Sequence, residues 1–198
     1  ISMIMAECSH GQQLRCIVRG NFDNLTAQQQ SERQGVSVLL GKSTLAITVE
    51  PENSERYQGI VPIESDNLSN CLEYYFEQAV QLPTRIRLAS NETCAAGILI
   101  QQMPSSQTMI EQQHEWQHLC TLFDTIKPGE QLELSHNDQL YRLFNKEKVR
   151  LFNAQTLSFF CSCSSLKEFL SSDSVIAFST MGIISLYFFC WYRAEPFK

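Results

Sequence analysis

Apolar positions recur along this chain with two periods, and the switch between them lays out its elements. From Leu14 to Arg19 apolar and basic residues alternate, the period-two pattern of a half-buried strand. Leu45 to Val49 and Tyr57 to Ile63 are β-branched runs bounded by Gly, Pro and Asn, and they predict two further strands. Asp66 is placed to cap a helix whose Leu68, Leu72, Tyr75, Phe76 and Ala79 share one apolar face. Pro83 ends that helix, and strands follow at Thr84–Ala89 and Ala96–Gln102. The period then lengthens. Trp116, Leu119, Leu122, Phe123 and Ile126 form a helical stripe as far as Pro128-Gly129, and a second helix from Ser135 carries Leu140, Leu143 and Phe144. With the charged set Lys146, Glu147, Lys148 and Arg150 behind it, this stretch reads as an amphipathic connector outside any tight core. The pattern reads as mixed α and β over residues 1–105, a helical connector over 106–160 and a small cysteine-containing segment over 161–198.

The tail departs from both periods. From Ser174 to Tyr192 nineteen residues carry no charge, with Arg193 as flank, the length at which a helix can cross a bilayer. Ser, Thr and Gly inside the run favour a small buried hairpin or helix instead, and insertion into a membrane is not expected. Composition narrows the picture further. A chain of 198 residues with 43% hydrophobic content can bury a core, and a net charge of −6 argues against nucleic acid, which needs a basic face. Eight cysteines are too irregularly spaced for a disulfide scaffold. Cys8, Cys16, Cys71, Cys94 and Cys120 stand singly among apolar neighbours, as most buried thiols of a reducing compartment do. The chain opens without methionine in the strand-like run Met3 to Ala6, as an N-terminally truncated chain would.

Three motifs carry candidate chemistry. Gly35 to Ser43 imitates a phosphate-binding loop, but five residues separate its glycines where four are needed, and strand-forming residues follow Lys42; it is expected to be a turn that binds no nucleotide. His114-Glu115-Trp116-Gln117-His118 matches H-E-x-x-H, in which two imidazoles one turn apart hold zinc and the glutamate acts as base, with Glu130, Glu133 or His136 as a conceivable third ligand. The polar turn before it, and Thr121 where the longer motif has glycine, favour an exposed helix face without catalysis. Cys161 and Cys163 alternate on one strand, so both thiols point the same way, which suits joint metal ligation or oxidation. Cys190 is the one thiol beyond them, with Tyr187 where a C-x-x-C partner would stand.

Several stretches, in order and spacing from about residue 1 to 165, resemble the 33 kDa chaperonin family of redox-switched bacterial holdases. They are Tyr57 to Pro62, Cys71 to Gln78, Gln81 to Arg85, Ala95-Ala96-Gly97 with Leu99 and Gln101, and His118-Leu119 with Leu122, Thr125 and Ile126. Arg142-Leu143-Phe144 with Glu147 and Val149, and Cys161-Ser162-Cys163-Ser164, complete the set. The resemblance implies an α+β core, a helical linker and a zinc domain built from C-x-C plus C-x-x-C. It implies a cytoplasmic, ATP-independent chaperone that is not an enzyme, takes unfolding client proteins and can dimerise on activation. Zinc would hold the reduced form, and oxidation at the redox-active Cys161 and Cys163 would form disulfides and release it. Here the metal ligands would be Cys161, Cys163 and Cys190, with water or Glu195 in the fourth position, so an impaired switch and weak zinc binding are expected.

This chain departs from the family in three ways. It lacks an N-terminal part of the core, carries Asn145 where the linker pattern has histidine, and loses similarity after Ser165. The alternative function is a membrane-anchored zinc metallopeptidase using His114, Glu115 and His118.

Overall fold

The computed structural model describes residues 1–9, 11–20, 35–91, 93–159, 171–174 and 184–191. They fold into helices and mixed sheets, an α+β arrangement, in two compact units: 1–8 with 15–83, and 9–14 with 84–198.

The first unit holds strand β1 (Met3–Cys8) and most of β2 (Gln13–Arg19), tied by the Ser2 N–H donating to the Arg19 carbonyl and by an Arg15–Glu7 ion pair at 2.7 Å. A five-residue helix α1 (Val36–Leu40) precedes Gly41, whose φ of +61° turns the chain into β3 (Thr44–Val49). Strand β3 pairs antiparallel with β4 (Tyr57–Pro62) in an unbroken register from Thr44↔Pro62 to Val49↔Tyr57. The expected turn at Gly35–Ser43 therefore begins with a helical turn, because Val36 and Ser37 are held by Asp66: its carbonyl accepts from the Val36 N–H, and its carboxylate takes the Ser37 hydroxyl.

That engagement moves the cap of the next helix. Asn67, not Asp66, caps α2 (Leu68–Tyr75), its side-chain oxygen accepting from the Ser69 N–H at 2.8 Å. The helix widens into a π-helical turn over Phe76–Val80 and stops at Gln81 in the left-handed conformation, two residues before Pro83. Tyr75 and Cys71 are the residues it buries most deeply, while Leu72 is half-buried and Leu68 exposed. Gly59 of β4 makes this packing possible. A Cβ there would stand 2.7 Å from Tyr75 Cε2 and 2.8 Å from the Ala79 Cβ.

The second unit is built on β5 (Thr84–Ser90) and β6 (Ala95–Gln102), paired from Thr84↔Gln101 to Ser90↔Ala95, with β9 (Ile184–Trp191) antiparallel on the far side of β6. Gln13 and Leu14 pair in parallel with Ser158 and Phe159 of β7 (Gln155–Phe159), which is antiparallel to β8 (Ser171–Ser174). Three helices complete the unit: α3 (Met109–Phe123), α4 (Pro128–Glu133) and α5 (His136–Phe144). Thr108 and Glu111 form a reciprocal capping box at the start of α3, Pro128 opens α4 in the first helical turn, and Ser135 caps α5 as its spacing predicts.

These helices are not a loose connector. Phe123, Ile126, Leu140, Leu143 and Phe144 form one buried cluster with Ile98 and Ile100 of β6, and Trp116, Leu119, Leu122 and Val149 pack against it. The apolar stripe read from the sequence is thus the core itself, because β6 supplies an apolar face for it to cover. The uncharged tail differs from a spanning helix as well: its residues 184–191 are a strand, and among the described residues no helix is long and apolar enough to cross a membrane.

Candidate functional site

The described residue constellation with most chemistry lies on α3. The capping box fixes the first turn, and the side-chain hydrogen bond from Thr108 holds the Glu111 carboxyl below its usual range. One turn on, His114 and Glu115 line an open groove of about 620 Å³ together with Ile110, Glu111 and His118. His114 and His118 are exposed and stand one helical turn apart on one face. His118 Nε2 lies 3.0 Å from Glu147 Oε1, on the turn that follows α5.

None of the third ligands considered for a zinc peptidase comes to this face. Glu130 is committed elsewhere: it accepts from the Lys127 N–H at 2.8 Å and from Arg142 Nε at 2.6 Å, and the Lys127 N–H is the main reason its carboxyl sits below the usual range. Arg142 in turn donates to the Thr125 hydroxyl and carbonyl. His136 opens α5, where burial lowers its pKa. Among the described residues no three His, Cys, Asp or Glu side chains converge as a metal cluster. The partner that His118 does have, Glu147, is one that local spacing cannot reveal, since it arrives from 29 residues away.

Of the thiols, Cys161 and Cys163 lie outside the described residues, and Cys190 falls in β9 opposite Ala96. The expectation that most of the other cysteines are buried is corrected. Cys71 is buried, its thiol donating to the Ser65 carbonyl at 3.3 Å, whereas Cys8 and Cys16 are exposed and Cys94 and Cys120 half-buried. Apolar neighbours in sequence do not bury a side chain on the open face of a hairpin. Partial burial still pushes the Cys16 thiol pKa up, which makes it a poor nucleophile. At Gly41-Lys42-Ser43 the chain runs straight into β3, and the Ser43 hydroxyl donates to the Gly41 carbonyl at 3.3 Å. No helix N-terminus follows the lysine, so the lettering of a phosphate loop lacks its cradle.

An α+β molecule with a cysteine-bearing tail, no assembled catalytic centre among its described residues and a helical half folded onto its sheet is the class these observations define. The family model described as Hsp33 protein matches residues 1–171, and the chain belongs to that family. Curated relatives agree. A 33 kDa chaperonin of Pseudomonas aeruginosa (strain LESB58) is 40% identical over 166 residues, covering 83% of this chain and 54% of the relative. One of Hahella chejuensis is 40% identical over 167 residues (83% and 55%), and one of Shewanella denitrificans 43% identical over 148 residues (75% and 48%). The chain spans about half the length of the curated relatives it matches.

Proposed function

We propose that this chain acts as an ATP-independent holdase chaperone, binding unfolding proteins and keeping them from aggregating. The observation that carries it is the family match over residues 1–171, joined to relatives whose printed name is 33 kDa chaperonin. Exposed apolar side chains are consistent with it: Met109 is 86% exposed, Ile110 81% and Tyr141 75%. Binding through such surface needs no nucleotide.

Redox control belongs to the same proposal. The thiols this chain offers near its C-terminus are Cys161, Cys163 and Cys190, and the carboxylates of the same stretch are Glu168, Asp173 and Glu195. Thiolates suit zinc, but a structural site is normally closed by four strong ligands, so the set fits an open, weakly held ion. Zinc, when bound, would keep these thiols as thiolates in a fixed place. Cys161 and Cys163 are the redox-active pair: peroxide would take two electrons from them, forming one disulfide and leaving water. With a fourth strong ligand missing, zinc holds the reduced switch weakly, and activity does not wait for an oxidant. The protein works in the cytoplasm on unfolded clients, and a homodimer can form on activation.

The test is light scattering from a heat-labile client in excess dithiothreitol and zinc, with and without prior peroxide. Suppression under reducing conditions is expected. Suppression only after peroxide means that the switch is intact and the account of the tail wrong. No suppression in either state refutes the chaperone itself.

A further inference from the structure

The H-E-x-x-H run has no role in a holdase, yet its two histidines share a groove, and one already touches a carboxylate. We propose that His114, His118 and Glu147 form a surface site for a divalent first-row transition ion such as Zn²⁺ or Ni²⁺, and that the bound ion ties the 145–150 turn to α3. Imidazole and carboxylate are the ligands such ions prefer on an exposed, thiol-free surface. The 3.0 Å between His118 Nε2 and Glu147 Oε1 is close to the spacing of two donors on one ion, since metal–nitrogen and metal–oxygen bonds of about 2.0–2.2 Å at roughly 90–110° place the donors about 3.0–3.5 Å apart. An ion can therefore replace the hydrogen bond with little movement of either group.

His114 is the member that must move, because among the described residues no three such side chains already converge. Its position allows that. It is exposed, lines the same groove as His118, and its Cβ is about 5–6 Å from that of a residue one turn away on the same helix face. The proposal requires only that its side chain rotate toward His118. Glu111 and Glu115 line the groove and add negative charge that attracts a cation. The groove is open, with no second wall to hold a peptide, so the site is a clamp between two segments and no hydrolysis is assigned to it.

Ni²⁺ is the probe, used on the full chain carrying Cys161→Ser, Cys163→Ser and Cys190→Ser so that the tail thiols do not compete. Calorimetry should find one ion per chain with micromolar affinity, and nuclear magnetic resonance should show paramagnetic broadening centred on His114, His118 and residues 145–149. His114→Ala and His118→Ala should each weaken binding on the order of 100-fold, because a joined pair of ligands becomes a single one. Glu147→Gln should weaken it roughly tenfold and abolish the slowing of hydrogen exchange that Ni²⁺ causes at 145–150. Should His118→Ala disturb the fold, His114→Ala at its exposed position decides the matter alone. Affinity indifferent to His114→Ala, broadening centred on His10 or His136, or binding at millimolar metal only would overturn the proposal.

Discussion

Replacing Phe123 with alanine tests whether the helical half is core or connector. Phe123 is fully buried, at 0% exposure, at the end of α3 among Ile98, Ile100, Ile126, Leu140, Leu143 and Phe144. Its truncation removes about 150 Å² of buried apolar surface, which at about 25 cal/mol per Å² comes to about 4 kcal/mol. The Arg87 guanidinium stands 5.6 Å from the ring centroid, and loss of that cation–π contact adds about 0.5 kcal/mol at a partly exposed site. Partial collapse of the cavity offsets some of this, so a net loss of about 3–5 kcal/mol is expected. Urea unfolding followed by the fluorescence of Trp116, which packs against the same cluster, reads this unit locally. The midpoint should fall with the slope unchanged. A cost below about 1 kcal/mol would refute the reasoning, since only a helix that spends much of its time undocked could lose that ring so cheaply.

Two further outcomes follow from geometry and charge. Gly59→Ala places a methyl 2.7 Å from Tyr75 Cε2 and should cost about 1–3 kcal/mol by overpacking, read by thermal unfolding; an unchanged midpoint would mean that α2 does not press on β4 as described. The Glu130 carboxyl, held low first by the Lys127 N–H and then by Arg142, lends stability above its ordinary value of about 4.5 and loses it as pH falls through the folded value. With exchange rates corrected for the intrinsic slowing of amide chemistry in acid, protection at 128–133 should therefore fall as pH drops below about 4.5 in the wild type and show no such step in Glu130→Gln.

Local rules reached what local forces decide. The strands at 44–49 and 57–62, the pair at 84–90 and 95–102, and the Ser135 cap were all legible, because alternation and capping are settled within a few residues. Where a distant group intervenes, the letters were insufficient. Asp66 and Asn67 are both good caps, and the choice fell to Asn67 because Asp66 is drawn to Val36 and Ser37. The stripe on α3 and α5 was visible, but not the strand β6 that it covers, so a core helix and an amphipathic connector looked alike. In the candidate site, His114 and His118 came from spacing alone, while Glu147 needed the fold. Cys161 and Cys163, the strongest chemical signal in the sequence, lie outside the described residues.

Helix α4 is fastened differently from its neighbours. Its one fully buried residue is Gln131, whose amide donates to the Arg87 carbonyl of β5 at 3.0 Å, while Gln139 of α5 donates back to the Gln131 and Leu134 carbonyls at 3.2 and 2.9 Å. Hydrophobic contact is forgiving of direction; these bonds are not, and they weaken steeply once bent. The helix is thus located by angle more than by area, like a peg in a keyed hole. Methionine at 131 would match glutamine in size and satisfy any ledger of apolar burial, yet it would remove the bond to the Arg87 carbonyl and with it the directional tie between α4 and β5. Gln131 and Gln139, which a hydropathy profile would assign to the surface, are both buried.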